Sequence, residues 1–164
     1  MNVYLRSLRL SDVDYMEEFV QDEDVAKNLL FTRYPYSREN MIDFVKNSWN
    51  DRRNVHYAIT NEADEYMGTI SLKNISYIDK NAEYAIVMRR KFWGQGIALQ
   101  ATDKILSYGF STLNLNKIYL NVLRSNERAI KFYEKYGFNR EGTFEKHIYR
   151  NGEYIDLLWY SIFK

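Results

Sequence analysis

The chain of 164 residues has no cysteine, one proline, seven glycines and two histidines. The missing cysteine removes disulfides, thiolate metal sites, iron–sulfur clusters and cysteine nucleophiles together, and fits a reducing, cytoplasmic setting. His56 and His147 have no repeated histidine or acidic spacing around them, so no metal site is expected. Charge of one sign is also lacking: 23 Lys and Arg against 22 Asp and Glu leave a net +1, too little for a basic field that would hold a nucleic acid. The longest uninterrupted apolar run, Tyr84 to Met88, is far short of the roughly 18 residues that cross a bilayer, so no membrane association is expected. Scarce proline and glycine, 16% aromatic residues and no low-complexity tract argue against disorder and for one compact domain over residues 1–164.

What is present alternates between strand and helix patterns, which predicts a mixed α/β arrangement. Val3 to Ser7 reads as a first strand. Ser11 or Asp12 then caps a short helix with Val13, Met16, Phe19 and Val20 at helical spacing, and a second helix runs from Ser37 to Trp49. Between them lies Phe31 to Tyr36, which holds the single proline. His56 to Thr60, Tyr66 to Leu72 and Glu83 to Met88 read as strands, with short turns that favour antiparallel neighbours. The longest helical pattern begins at Gly94-Gln-Gly96 and carries Ala98, Ala101, Ile105, Tyr108 and Leu113. Strand Lys117 to Leu123, helix Glu127 to Tyr136 with Gly137 at its C-cap, and strands at about 139–147 and 153–163 complete the chain. The last two flank Asn151-Gly152, a hairpin signal.

The segment that bears chemistry is Lys91-Phe-Trp-Gly-Gln-Gly-Ile-Ala98. Two glycines one residue apart, between a strand and a helix, let backbone approach a ligand closely. The helix that follows offers unpaired N–H groups and the positive end of its dipole, which suit a pyrophosphate without many basic side chains. The spacing is neither a dinucleotide fingerprint, which would need a third glycine at Leu99, nor a P-loop. Arg89-Arg-Lys91 is a candidate phosphate contact, and a solvated basic turn has the same composition.

With strand Glu83 to Met88, the long helix, strand Lys117 to Leu123 and the run Asn126 to Phe138 (Asn-x-x-Ala-x-x-x-Tyr-x-x-x-Gly-Phe), this turn resembles the GNAT superfamily of acetyl-CoA-dependent N-acetyltransferases. Lys91 stands where that family usually has arginine or glutamine. The resemblance implies an α+β fold in α/β/α layers: a mixed, mostly antiparallel sheet of about seven strands, splayed between the fourth and fifth, with about four helices. It also implies acetyl-CoA as cosubstrate. Backbone groups of Val87, Met88 and Arg89 would meet the pantetheine arm. Amides of Trp93, Gly94, Gln95, Gly96, Ile97, Ala98 and Leu99 would hold the pyrophosphate, and Asn126 would contact the cofactor from the next helix. A strand N–H would stabilise the oxyanion of the reaction. Tyr133 matches the family's tyrosine, which protonates the departing thiolate, and Glu83 is the candidate general base for the amine. The bland alternatives are a core aromatic for Tyr133, a solvated strand residue for Glu83 and an ordinary N-cap for Asn126.

The acceptor, a small-molecule amine or a peptide N-terminus, is not fixed by these motifs. The overall likeness is greatest to bacterial spermidine N-acetyltransferases and ribosomal-protein N-terminal acetyltransferases. The spermidine enzymes carry acidic residues between the first helices, where this chain has Arg33 and Arg38. Those arginines suit an amino sugar bearing a nucleotide diphosphate, or an acidic peptide. Against them, Glu17, Glu18, Asp22, Glu23 and Asp24 form an acidic face that suits a cationic acceptor, although surface helices commonly carry such runs. A homodimer is implied by the resemblance alone. The alternative function is a non-catalytic acetyl-CoA-sensing or partner-binding module with the same fold.

Overall fold

A computed structural model describes residues 1–30 and 37–164. The segment Phe31 to Tyr36, with Arg33 and the single proline, lies outside the described residues. Seven strands form one sheet in the order β1-β2-β3-β4-β5-β7-β6. They are β1 (Tyr4–Ser7), β2 (Val55–Thr60), β3 (Tyr66–Ser76), β4 (Asn81–Met88), β5 (Lys117–Leu123), β6 (Asn139–Arg150) and β7 (Glu153–Phe163). All neighbouring pairs are antiparallel except β4 with β5. The α-helices among the described residues are α1 (Val13–Gln21), α2 (Glu23–Ala26), α3 (Arg38–Ser48), α4 (Ile97–Ser107) and α5 (Glu127–Tyr136). The sheet and its parallel pair match the expectation. The extra helix is the four-residue α2, too short to leave a periodic signal.

Strand alternation divides the apolar residues between two cores. On one face Val13, Met16 and Phe19 of α1 and Met41 and Val45 of α3 pack with Ala58 and Tyr66. On the other, Ile97, Ala101 and Ile105 of α4 and Tyr133 of α5 pack with Ile59, Met67, Ile70 and Leu72. The sheet is therefore covered on both sides, which is why its middle strands bury seven consecutive residues of β3, Tyr66 to Leu72.

Helix boundaries follow local chemistry. Ser37 caps α3 by accepting from the Asn40 amide, and Gly137 (φ +116°) ends α5 by donating to the Tyr133 and Glu134 carbonyls. Asn151 and Gly152, both at positive φ, make the turn between β6 and β7. Asp12 stands at the N-cap of α1, but its side chain makes no capping bond to that helix. It is buried, accepts from the Arg9 amide at 2.8 Å and takes a bidentate ion pair from Arg6 at 2.9 Å, because a paired guanidinium satisfies a buried carboxylate better than one exposed amide does. The long helical pattern also changes form: α4 stops at Ser107 and the chain continues through a π turn, Tyr108–Thr112.

Candidate active site

The parallel pair β4–β5 is joined only at Asn81–Lys117, Ala82–Ile118 and Glu83–Tyr119. Beyond Glu83 the strands part, although β4 continues to Met88 and β5 to Leu123. The facing edges past that fork have backbone groups that no ladder satisfies, which a bound chain of alternating acceptors and donors would cover.

Which residues point into the gap is a matter of parity. Val87 lies opposite Thr69 and Met88 opposite Gly68 in the β3–β4 register, and the Arg89 amide donates to the Met67 carbonyl at 2.9 Å. In an antiparallel ladder alternate residues bond to the same neighbour, so Val87 and Arg89 turn their backbone groups to β3. Ile86 and Met88 turn theirs to the gap. This corrects the expectation for Val87 and Arg89 and adds Ile86, which sequence alone could not select without knowing the register. The Met88 carbonyl accepts from the Trp93 indole at 3.1 Å, leaving its amide for the gap.

Past β4, Gly94 (φ +75°) and Gly96 (φ +74°) hold the left-handed conformation that glycine adopts without strain, and no heavy atom lies within 4 Å of a Cβ built on either. The turn is open. The first bond inside α4 runs from the Gln100 amide to the Gly96 carbonyl, so the amides of Ile97, Ala98 and Leu99 have no acceptor within the helix. The Trp93 amide, by contrast, donates to the Arg90 carbonyl at 3.0 Å, and the Gln95 side chain folds back to the Lys91 carbonyl at 2.8 Å. Trp93 therefore lines the groove with its ring, not its amide.

A groove of about 960 Å³ connects these features, running from the open turn past Ile86 and Met88 to Asn126 and Tyr133. Three of its cations come from α5, where Arg128, Lys131 and Lys135 line it, and Lys27 lines it from the end of α2; Arg128 stacks over the Trp93 ring at 4.2 Å. The i, i+3, i+7 spacing of the three on α5 was a signal in the sequence for one helix face. The basic run Arg89-Arg90-Lys91 does not serve this purpose: Arg89 is buried and paired with Glu18 at 2.8 Å, Arg90 with Asp24 at 2.9 Å and Lys91 with Glu65 at 2.6 Å. Asn126 caps α5, its Oδ1 accepting from the Ala129 amide at 3.3 Å, while it also lines the groove.

A second cavity of about 170 Å³ opens on the α1/α3 face of β4 and β5, and Ile86, Val87, Asn126 and Tyr133 line it as well as the groove. The fork is thus a passage through the sheet. Glu83 sits in this cavity, 6% exposed, with Oε1 accepting from Asn121 Nδ2 at 2.7 Å and Oε2 from Asn74 Nδ2 at 3.1 Å. Lys73 Nζ is 3.7 Å from Oε1. Asn74 reaches Glu83 from a positive φ of 51° at an irregularity in β3, a conformation asparagine tolerates. His56, on the same face, meets the Ser71 hydroxyl at 2.6 Å, and burial together with nearby Lys73 pushes its pKa down to about 4. Tyr133 is buried, its ring edge-on to Tyr84 at 5.9 Å and Phe138 at 5.7 Å, and among the described residues its hydroxyl has no hydrogen-bond partner. Burial raises that phenol above its ordinary pKa. The structure thus brings Glu83, Asn126 and Tyr133 to one passage.

Residues 2–139 match the family described as acetyltransferase (GNAT) domain. The chain belongs to the GNAT acetyltransferases. It is similar to spermidine N(1)-acetyltransferase of Escherichia coli K12, with 30% identity over 164 residues covering 99% of this chain and 87% of that protein. It is also similar to the putative ribosomal N-acetyltransferase YdaF of Bacillus subtilis, at 27% identity over 99% of this chain and 92% of the relative. The crystal structure of spermidine N-acetyltransferase from Vibrio cholerae in complex with CoA and spermine superposes with a TM-score of 0.88 at 26% identity, covering 98% of this chain and 95% of that one. The GNAT fold accounts for the splayed parallel pair, and the chain is an acetyl-CoA-dependent N-acetyltransferase. The open turn, the unpaired helix amides and the cationic α5 face fit an adenine nucleotide with a long, amide-bearing arm.

Two sequence expectations about the acceptor side do not hold. Arg38 does not line either cavity: it pairs with Asp14 at 2.9 Å and Glu17 at 2.7 Å on α1. The acidic face is largely neutralised, since Glu17 meets Arg38, Glu18 meets Arg89 and Asp24 meets both Arg90 and Lys27. Unpaired carboxylates close in sequence repel, and basic groups from α3 and the β4–α4 turn settle among them.

Proposed function

We propose that the acetyl group passes directly to a small primary amine held in the cavity beside Glu83, with both substrates bound at once. The observation that carries this reading is the passage at the fork: one set of residues, Ile86, Val87, Asn126 and Tyr133, lines both the cofactor-sized groove and the smaller cavity. Acetyl-CoA supplies an activated acyl carbonyl with a thiolate leaving group. The amides of Ile97, Ala98 and Leu99 hold its pyrophosphate, and the edge of β4 at Ile86 and Met88 aligns its arm. An amide from that edge also donates to the carbonyl oxygen as negative charge grows there.

A lysine-like amine with pKa near 10.4 is almost entirely protonated at pH 7, and freeing it costs about 4 to 5 kcal/mol. Glu83, fixed by Asn74 and Asn121, takes that proton through water. The nitrogen bonds to the acyl carbon, the carbon–sulfur bond breaks, Tyr133 gives its proton to the sulfur, and the surplus proton left on nitrogen passes to water, from which Tyr133 recovers one. A phenol kept neutral by burial is suited to donate.

The names of similar proteins make spermidine and a ribosomal protein the first acceptors to assay. Calorimetry should show saturable acetyl-CoA binding, weakened about tenfold in Gly96→Ala, and thiol should be released when an amine is added. No heat at millimolar cofactor would refute the proposal, as would binding with no thiol release across polyamines, amino acids, amino sugars and peptides.

A further inference from the structure

The charges facing the acceptor cavity state what the far end of the acceptor must be. Among the described residues that line it, Glu83 is the only carboxylate and Lys73 the only cation. His56 adds no charge at neutral pH, because its burial holds the ring neutral. Glu83 is already compensated, by two side-chain amides and by Lys73 at 3.7 Å. An ammonium group at the reacting end of a substrate faces this carboxylate. A second ammonium farther along a flexible chain would find no other lining carboxylate among the described residues, and would have Lys73 within reach. The acidic residues of α1 and α2 do not make up the deficit, for none of them lines this cavity, and Glu17, Glu18 and Asp24 are occupied by Arg38, Arg89 and Arg90.

Lys73 is held at the cavity, not waving in solvent: its side chain is 24% exposed, and β3 fixes its position opposite Glu83 in the ladder. A cation so placed beside the base does little for a polyamine and much for an anion one short chain away from the amine. We infer that the acceptor is a primary amine whose other end is anionic, a carboxylate or phosphate, and that Lys73 selects it. This rests on the acyl-transfer reading above and narrows its substrate.

Three amines of equal length isolate the effect of the tail: 4-aminobutanoate, butylamine and 1,4-diaminobutane, with spermidine and O-phosphoethanolamine alongside. Thiol release is followed for the wild type, Lys73→Met and Lys73→Glu, each checked for acetyl-CoA affinity by calorimetry. Lys73 does not line the cofactor groove, so that affinity should be unchanged and will report a folded protein. Expected is a kcat/KM at least tenfold higher for 4-aminobutanoate than for 1,4-diaminobutane, reduced to near parity in Lys73→Met and reversed in Lys73→Glu. O-phosphoethanolamine distinguishes phosphate from carboxylate as the preferred anion. A wild type that favours spermidine or the diamine, or an order that the Lys73 variants leave unchanged, would overturn the inference while leaving acyl transfer standing. Thiol release with none of the amines, from protein that binds acetyl-CoA, would overturn acyl transfer and this inference with it.

Discussion

Replacing Tyr133 with phenylalanine separates chemistry from architecture with unusual clarity. The ring makes the packing: it lies edge-on to Tyr84 and Phe138, and phenylalanine keeps both contacts. The hydroxyl has no partner among the described residues, so its removal breaks no hydrogen bond and lifts a desolvation cost. Stability should stay within about 0.5 kcal/mol of the wild type or rise slightly. For turnover, a phenol of ordinary pKa 10 is about 1.5 units less acidic than a thiol near 8.5, so full proton transfer to sulfur is uphill by about 2 kcal/mol on reference values. Burial raises the phenol further, and it raises the departing thiol as well. The gain therefore comes late, as charge builds on sulfur, which places it at the low end of the 10²–10⁴ range for general acids. Tyr133→Phe should lower kcat about 100-fold, equivalent to about 2.7 kcal/mol, with acetyl-CoA affinity within about threefold of the wild type. Thiol release measured under saturating substrates, calorimetry and thermal melting test the three parts. Turnover within about threefold of the wild type, with cofactor binding intact, would refute the assignment of the acid.

His56 is neutral in the folded protein, its pKa pushed down to about 4 from an ordinary 6.5 by burial and Lys73. Below pH 6.5 the unfolded chain takes up a proton that the folded one refuses, so stability is lost as pH falls from 6.5 toward 4, by up to about 3 kcal/mol. Denaturant titrations should show that loss, and His56→Gln should flatten it. Gly68 faces Met88 across the ladder, and a Cβ there would lie 2.3 Å from the Val87 carbonyl oxygen. Backbone must yield, so Gly68→Ala should cost about 1 to 3 kcal/mol, lowering the melting temperature by roughly 2–4 °C per kcal/mol, and should weaken acetyl-CoA binding because β4 is displaced. An unchanged melting temperature would show that the two strands have room the structure does not indicate.

Alternation, capping residues and the Gly-x-Gly turn made the strand and helix order legible in the sequence, because each is a local property of a few neighbouring residues. The same local logic marks the Gly-x-Gly turn as a candidate anion site and predicts the helix Glu127 to Tyr136, while Asn126 and Tyr133 come as site candidates from the resemblance to the GNAT acetyltransferases. It did not reveal α2, whose single turn has no period, nor that the Asp12 side chain at the cap of α1 would turn to Arg6, a partner on another element. Charge was where composition misled. The run Glu17–Asp24 reads as a face for a cationic acceptor and Arg89–Lys91 as a candidate phosphate contact, yet folding pairs Arg89 with Glu18 and Arg90 with Asp24.

The sequence by itself determined the elements, the turn and the helix that carries Tyr133, since short-range sterics and hydrogen bonding dictate them. Only the tertiary structure decided that β4 leaves β5 after Glu83, that the backbone groups of Ile86 and Met88 rather than those of Val87 and Arg89 face the opening, and that Lys73 shares the cavity with Glu83. Those facts depend on strand register and on which element meets which across the sheet. A shift of one residue reverses every backbone and side-chain direction, and no local signal fixes it.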